Sequence, residues 1–85
     1  MMLLAVDVGN TNIVLGLFSE DRLVGRWRLS SDTRRTPDEY SVLIDALISR
    51  TCPQCRTDME IVLGSVVPVL SDTIDAALRR LFACK

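Results

Sequence analysis

The sequence predicts an α/β fold with the element order β-β-β-α-β-α. Three observations carry this. Short runs rich in β-formers recur at 3–6, 13–18 and 22–29, with only polar turns between them. Behind Thr36 and again behind Pro68, apolar residues fall at helical spacing. A fourth β-rich run, 60–67, sits between those helices, so it should return parallel to the first strand through a helical crossover. The 85 residues leave room for one domain, with no internal repeat or linker.

The first run, Leu3-Leu4-Ala5-Val6, ends at Asp7 and reads as a central strand buried on both faces. Gly9-Asn10-Thr11-Asn12 is a turn signal, after which Ile13 to Phe18 form a second strand. Ser19-Glu20-Asp21 turns the chain again. Residues 22–29 then alternate, with Arg22, Val24, Arg26 and Arg28 on one face and Leu23, Gly25, Trp27 and Leu29 on the other. That is a half-exposed strand with its arginines towards solvent. Three strands on short turns form an antiparallel meander.

Residues 30–36 are a polar loop leading into a helix start. Thr36 can cap, Pro37 suits the first helical position and Glu39 completes a capping box. Tyr40, Leu43, Ile44, Leu47 and Ile48 follow as one apolar face. Glu60 to Val67 read as a fourth, largely buried strand. Pro68 opens a second helix whose apolar face is Leu70, Ile74, Ala77, Leu78 and Leu81. Arg79 and Arg80 lie late in it, where the helix dipole favours cations, and Asp75 with Arg79 is an i, i+4 pair.

Composition narrows the chemistry. A net charge of −1 argues against bulk attraction to nucleic acid or an anionic membrane. With no histidine, Ser-His-Asp and Cys-His triads and His-ligated metals are excluded. No run approaches the roughly 20 apolar residues of a membrane span, and the amino-terminal run lacks the features of a signal peptide, so the cytoplasm is the default location. Cys52-Pro53-Gln54-Cys55 is a lone C-x-x-C; Cys84 is the only further thiol. A cysteine-based metal or redox module is one reading of it, and two ordinary thiols in a polar connection is the other.

The segment Asp7-Val8-Gly9-Asn10-Thr11-Asn12 carries the most chemistry. A carboxylate at a strand's carboxyl end can hold Mg²⁺, directly or through water. Gly9 removes a Cβ from the path of a phosphate, and successive N–H groups in such a turn form an anion-binding concavity. Asn10, Thr11 and Asn12 add neutral donors. The same residues also suit an ordinary polar hairpin turn. Neither a Walker A motif nor G-x-G-x-x-G is present.

The string Leu4 to Gly16 resembles the amino-terminal phosphate motif, D-x-G-N-T, of type III pantothenate kinases. Gly64-Ser65-Val66-Val67-Pro68 is similar to that family's S-V-V-P segment, and Arg35 to Tyr40 to its R-T-x-D-E helix entry. The resemblance covers the whole chain. It implies the ribonuclease H-like fold of the actin-like ATPase (ASKHA) superfamily, two similar domains with ATP in the cleft between them. It also implies transfer of the ATP γ-phosphoryl to pantothenate, the first step of coenzyme A synthesis, by a cytoplasmic homodimer using Mg²⁺ and a monovalent cation, K⁺ or NH₄⁺. Asp7, Val8, Gly9, Asn10, Thr11, Asn12, Ile13 and Val14 would then be the ATP phosphate segment, with Asp7 organising the metal or its waters.

On that resemblance residues 1–85 are the amino-terminal part of the first domain, and the second domain is absent. The family's G-x-D-R, with its general-base aspartate, has no counterpart here, nor does its monovalent-cation aspartate. The chain alone is therefore expected to lack turnover, to expose apolar surface and to self-associate. A non-catalytic nucleotide-binding regulator on the same fold is the alternative. Ser65, at a strand end, is a candidate behind the phosphate turn or a plain strand-end residue. Trp27 is expected to pack in the core with Leu23 and Leu29.

Overall fold

Alternation along the first two strands puts one set of aliphatic side chains beneath the helices. The computed structural model describes residues 2–51 and 59–82. In β1 (Met2–Val8) the inward set is Leu4, Val6 and Val8, and in β2 (Asn12–Ser19) it is Ile13, Leu15 and Leu17. The sheet is completed by β3 (Arg22–Ser30) and β4 (Met59–Ser65), in the order β3-β2-β1-β4. β1 pairs antiparallel with β2, β2 antiparallel with β3, and β1 parallel with β4. This is the meander and crossover that the sequence predicts.

The helices α1 (Pro37–Thr51) and α2 (Pro68–Phe82) bury Tyr40, Ile44 and Ile48, and Leu70, Ile74, Ala77, Leu78 and Phe82, in one cluster with those strand residues. Arg80, near the end of α2, ion-pairs with Asp38 in the first turn of α1. Asp75 and Arg79 pair at 3.0 Å as their spacing predicts. The α1 start is the expected capping box: the Thr36 N–H donates to Glu39 Oε1 at 2.8 Å, and the Glu39 N–H to Thr36 Oγ1 at 3.2 Å. Thr36→Ala is expected to cost about 1 kcal/mol, read as a lower urea midpoint with an unchanged m value.

Four expectations about β1 and β4 change. β1 continues through Asp7 to Val8, and it is covered on one face only among the described residues, because α1 and α2 both lie on the side of Leu4 and Val6. Its other face carries Leu3 and Ala5, half-buried, and Asp7, exposed. β4 ends at Ser65 instead of reaching Val67, and it is not largely buried: Val62 is 58% exposed.

The third strand holds a bulge opposite the Leu17–Phe18 step of β2. Leu17 faces Gly25 while Phe18 faces Leu23, so one extra residue, Val24, enters the ladder. A one-residue insertion reverses which side each later residue points to. Val24 consequently packs against the core. Leu23, expected beside Trp27, instead lies 52% exposed on the open face. Trp27 and Leu29 do pack against the core, and Arg22, Arg26 and Arg28 are exposed as expected.

Gly25 lies under the Trp27 ring. A Cβ there would stand 2.5 Å from Trp27 Cη2 and 2.7 Å from Cζ2. The indole is rigid and half-buried, so it cannot yield cheaply. Gly25→Ala is expected to destabilise the chain by about 1–3 kcal/mol and to shift the Trp27 emission spectrum.

The open face of the sheet holds a shallow hollow of about 440 Å³, lined among others by Ala5, Asp7, Val14, Phe18 and Val62. The apolar exposure expected for this chain is found there. No helix among the described residues is long and apolar enough to cross a membrane. Cys52, Cys55 and Cys84 lie outside the described residues.

Candidate functional site

The parallel strands β1 and β4 end side by side, with Val8 opposite Ser65. One residue earlier, Asp7 stands between Gly64 on β4 and Val14 on β2, on the open face. Gly64 has no side chain, and a Cβ built on it would meet nothing within 4 Å. The Asp7 carboxylate therefore has open space on its β4 side and solvent above it. The next residue along that row is Arg28, opposite Val14 on β3.

The turn from β1 to β2 is Gly9-Asn10-Thr11. The Gly9 N–H donates to the Asn12 carbonyl at 2.9 Å. Gly9 has no left-handed backbone to require glycine; its reason is the close approach to Asn12, whose carbonyl oxygen would lie 3.1 Å from an added Cβ. Among the described residues, the N–H groups of Asn10 and Thr11 have no hydrogen-bond partner. Both residues are exposed and Asn12 is half-buried.

Burial divides the predicted segment 7–14 into two groups. Val8 and Ile13 are fully buried in the core, so their side chains cannot touch a ligand and only their backbone is near the turn. Asp7, Asn10, Thr11 and Asn12 present polar side chains at the strand ends, and Val14 lies on the open face beside Asp7. Ser65 has a local use. Its Oγ accepts from the Val67 N–H at 3.0 Å and donates to the Val67 carbonyl at 3.1 Å, closing the turn into α2. The Val66 N–H donates to the Val8 carbonyl at 3.1 Å, which ties that turn to the end of β1.

Sequence reasoning missed Ser31. Its Oγ donates to the Gly9 carbonyl at 2.7 Å and its N–H to the Thr11 carbonyl at 2.9 Å. The contact spans 22 residues. No local pattern announces it, since Ser31 sits in a run of polar residues that all suit a loop. It follows from the strand pairing, which sets Ser30 opposite Asn12 and so brings the next residue to the turn.

The loop beyond Ser31 is organised by Asp32. Its carboxylate accepts from the Arg34 Nε–H at 3.1 Å and the Arg34 N–H at 2.9 Å. The Arg34 guanidinium holds the Asp32 carboxyl below its ordinary pKa, with the Arg34 backbone N–H and the more distant Arg35 adding to the effect. Because the folded value is lowered, this tie contributes above the usual carboxylate range and is lost as pH falls through the lowered value. Arg35 also lies over the Tyr40 ring, 5.9 Å from its centroid.

Among the described residues no three acidic or cysteine side chains cluster as a metal site. Asp7 is exposed on the open face, two residues before Gly9 of the turn. A mixed four-stranded sheet with two helices is an α/β fold, a class in which ligands commonly gather beyond the carboxyl ends of the parallel strands.

Within that class the chain belongs to the type III pantothenate kinase family, whose family model matches residues 3–85. It is 42% identical over 84 residues to a type III pantothenate kinase of Geotalea uraniireducens (strain Rf4), covering 99% of this chain and 33% of that protein. A type III pantothenate kinase of Citrifermentans bemidjiense is 45% identical over 82 residues, 95% of this chain and 32% of the relative. One of Finegoldia magna is 40% identical over 79 residues, 93% of this chain and 30% of the relative. The chain thus spans about a third of the length of the curated relatives it matches.

Proposed function

We propose that this chain supplies the ATP phosphate-binding turn of a kinase that transfers the ATP γ-phosphoryl to pantothenate, the first step of coenzyme A synthesis. The carrying observation is the placement of Asp7 beside a turn whose Asn10 and Thr11 N–H groups are free, at the ends of β1 and β4, in a chain of this family. The sheet order and the element order support a ribonuclease H-like half-domain of the actin-like ATPase superfamily.

In this reading the Asn10 and Thr11 N–H groups donate to phosphate oxygens, with the side chains of Asn10, Thr11 and Asn12 as further donors. Val8, Gly9 and Ile13 contribute backbone, and Val14 walls the site beside Asp7. Ser65 shapes the neighbouring turn and acts behind the site. Phosphoryl transfer rests mainly on positioning and electrostatic stabilisation, and a rigid turn at strand ends serves the first of these.

The residues fit a divalent cation. Asp7 is a hard oxygen donor with open space beside Gly64, and one such carboxylate is enough for Mg²⁺, which keeps several waters and is completed by phosphate oxygens. When bound there, Mg²⁺ would neutralise phosphate charge. The carboxylate's part is to orient the cation or its waters. No residue among these 85 is assigned to the monovalent cation, K⁺ or NH₄⁺, or to the general base, so the chain by itself is proposed to lack turnover. The whole protein is read as a cytoplasmic homodimer with pantothenate and ATP as substrates, and with no nucleic-acid or membrane partner.

Calorimetric titration with Mg-ATP tests the reading. Saturable binding that disappears when EDTA removes the metal supports it. Equal heats with and without EDTA would refute a role for Asp7 through a cation.

A further inference from the structure

We propose that Ser31 is the positioning residue of the phosphate turn, and that Tyr40 holds Ser31 in place, so that the first turn of α1 is coupled to the Gly9–Thr11 backbone. This rests on the phosphate reading of that turn.

The geometry is a double clamp. Ser31 makes two hydrogen bonds to the turn: its Oγ donates to the Gly9 carbonyl at 2.7 Å, and its N–H to the Thr11 carbonyl at 2.9 Å. These carbonyls flank Asn10. Each carbonyl shares a rigid peptide plane with the next residue's N–H, so fixing both sets the planes that carry the Asn10 and Asn12 N–H groups. The carbonyl oxygens of Gly9 and Thr11 turn towards Ser31 and those N–H groups away from it, while the Thr11 N–H is held only through the backbone between the two fixed planes. Oxygens that faced the anion would repel it, whereas N–H groups attract it. A turn with two carbonyls held in this way has its anion-binding polarity set before the ligand arrives.

Ser31 is itself held from both sides. The Tyr40 hydroxyl donates to the Ser30 carbonyl at 3.0 Å, with the Asp32 carbonyl at 3.3 Å sharing the proton, and it accepts from the Asp32 N–H at 3.0 Å. Tyr40 is fully buried, so its ring is anchored in the core while its hydroxyl reaches the residues on either side of Ser31. A phenylalanine would fill the same core space and leave the loop untied.

The test uses amide hydrogen exchange and Mg-ATP titration on the 85-residue chain and its variants. Ser31→Ala is expected to speed exchange at Gly9 and Ser31, and to weaken Mg-ATP binding about three- to tenfold, the range for loss of one net hydrogen bond. Ser31→Thr keeps the hydroxyl and should restore both. Tyr40→Phe should speed exchange at Ser31 and weaken binding by a similar factor. Because the two residues act in series, the double variant should bind no worse than about twofold below the weaker single variant. Exchange at Leu70 and Ile74 in α2 reports whether the fold is intact, and a purely structural loss would move it too. Unchanged exchange at Gly9 and Ser31 in Ser31→Ala, with α2 protected, overturns the clamp. If the unaltered chain binds no Mg-ATP, the phosphate reading fails separately, and the exchange result alone decides for or against the clamp.

Discussion

Leu15→Ala is expected to leave the chain largely unfolded at 37 °C. Leu15 is fully buried on β2, in the cluster that joins β1, α1 and α2. Truncating such a leucine costs about 2–5 kcal/mol, from lost transfer energy and the cavity left behind. A single core of this size rarely supplies more than about 3–5 kcal/mol. One side chain therefore matches the whole margin. The open face sharpens the point, because apolar groups such as Leu23 and Val62 stay in contact with water and add little. Denaturant unfolding followed by Trp27 fluorescence measures the effect; a midpoint shift corresponding to less than about 1 kcal/mol would show that the core is looser than its burial indicates.

Asp7→Asn should separate function from stability. The side chain is exposed and takes part in no ion pair among the described residues, so the fold does not depend on its charge. Removing an anion from the open apolar face should leave the melting temperature unchanged or slightly raised, as is common where a site is kept for function. Mg-ATP affinity should fall by about tenfold or more, which is about 1.4 kcal/mol. The loss should be in the metal-dependent part: metal-free ATP should bind the variant no worse than the parent, since a carboxylate near the phosphates repels them when no cation intervenes. A variant that binds Mg-ATP as well as the parent would remove Asp7 from the site.

Much of this was legible in the sequence because local rules govern it. The capping box at Thr36 and Glu39, the apolar face of α1 and the Asp75–Arg79 pair each depend on residues a turn apart. The strand meander followed from run lengths and turn residues. The misreadings were of another kind. Strict alternation put Leu23 with Trp27, but a single inserted residue, Val24, reversed the face; the one local hint, a glycine inside the strand at Gly25, equally fits a close approach such as that of the Trp27 ring. The aliphatic run in β1 suggested burial on both faces, and that in β4 a largely buried strand, as in a parallel sheet with helices on each side. Here both helices lie on one side, and the pattern of side chains alone cannot say how many faces are covered.

The site was half legible. Asp7, Gly9, Asn10 and Thr11 fall within one short run broken only by Val8, and their chemistry could be read from residue type and order. That Val8 and Ile13 point into the core follows from the alternation of the strands they end and begin. Ser31 was not legible, because its role depends on the pairing of β2 with β3 and on a hydroxyl reaching a carbonyl 22 residues away. Gly9 changed its reason: the close neighbour is the Asn12 carbonyl, within the turn itself.

The central claim is that a phosphate-borne divalent cation sits against Asp7 at the β1–β2 turn. Paramagnetic broadening by Mn-ATP tests it most directly, because Mn²⁺ takes the same oxygen ligands and erases the amide signals closest to it. The account predicts that substoichiometric Mn-ATP broadens the amides of Asp7 to Asn12 and of Gly64 first, and that Asp7→Asn abolishes this pattern. Broadening centred on Asp21, Asp32 or another surface carboxylate, or a pattern unchanged in Asp7→Asn, would contradict it.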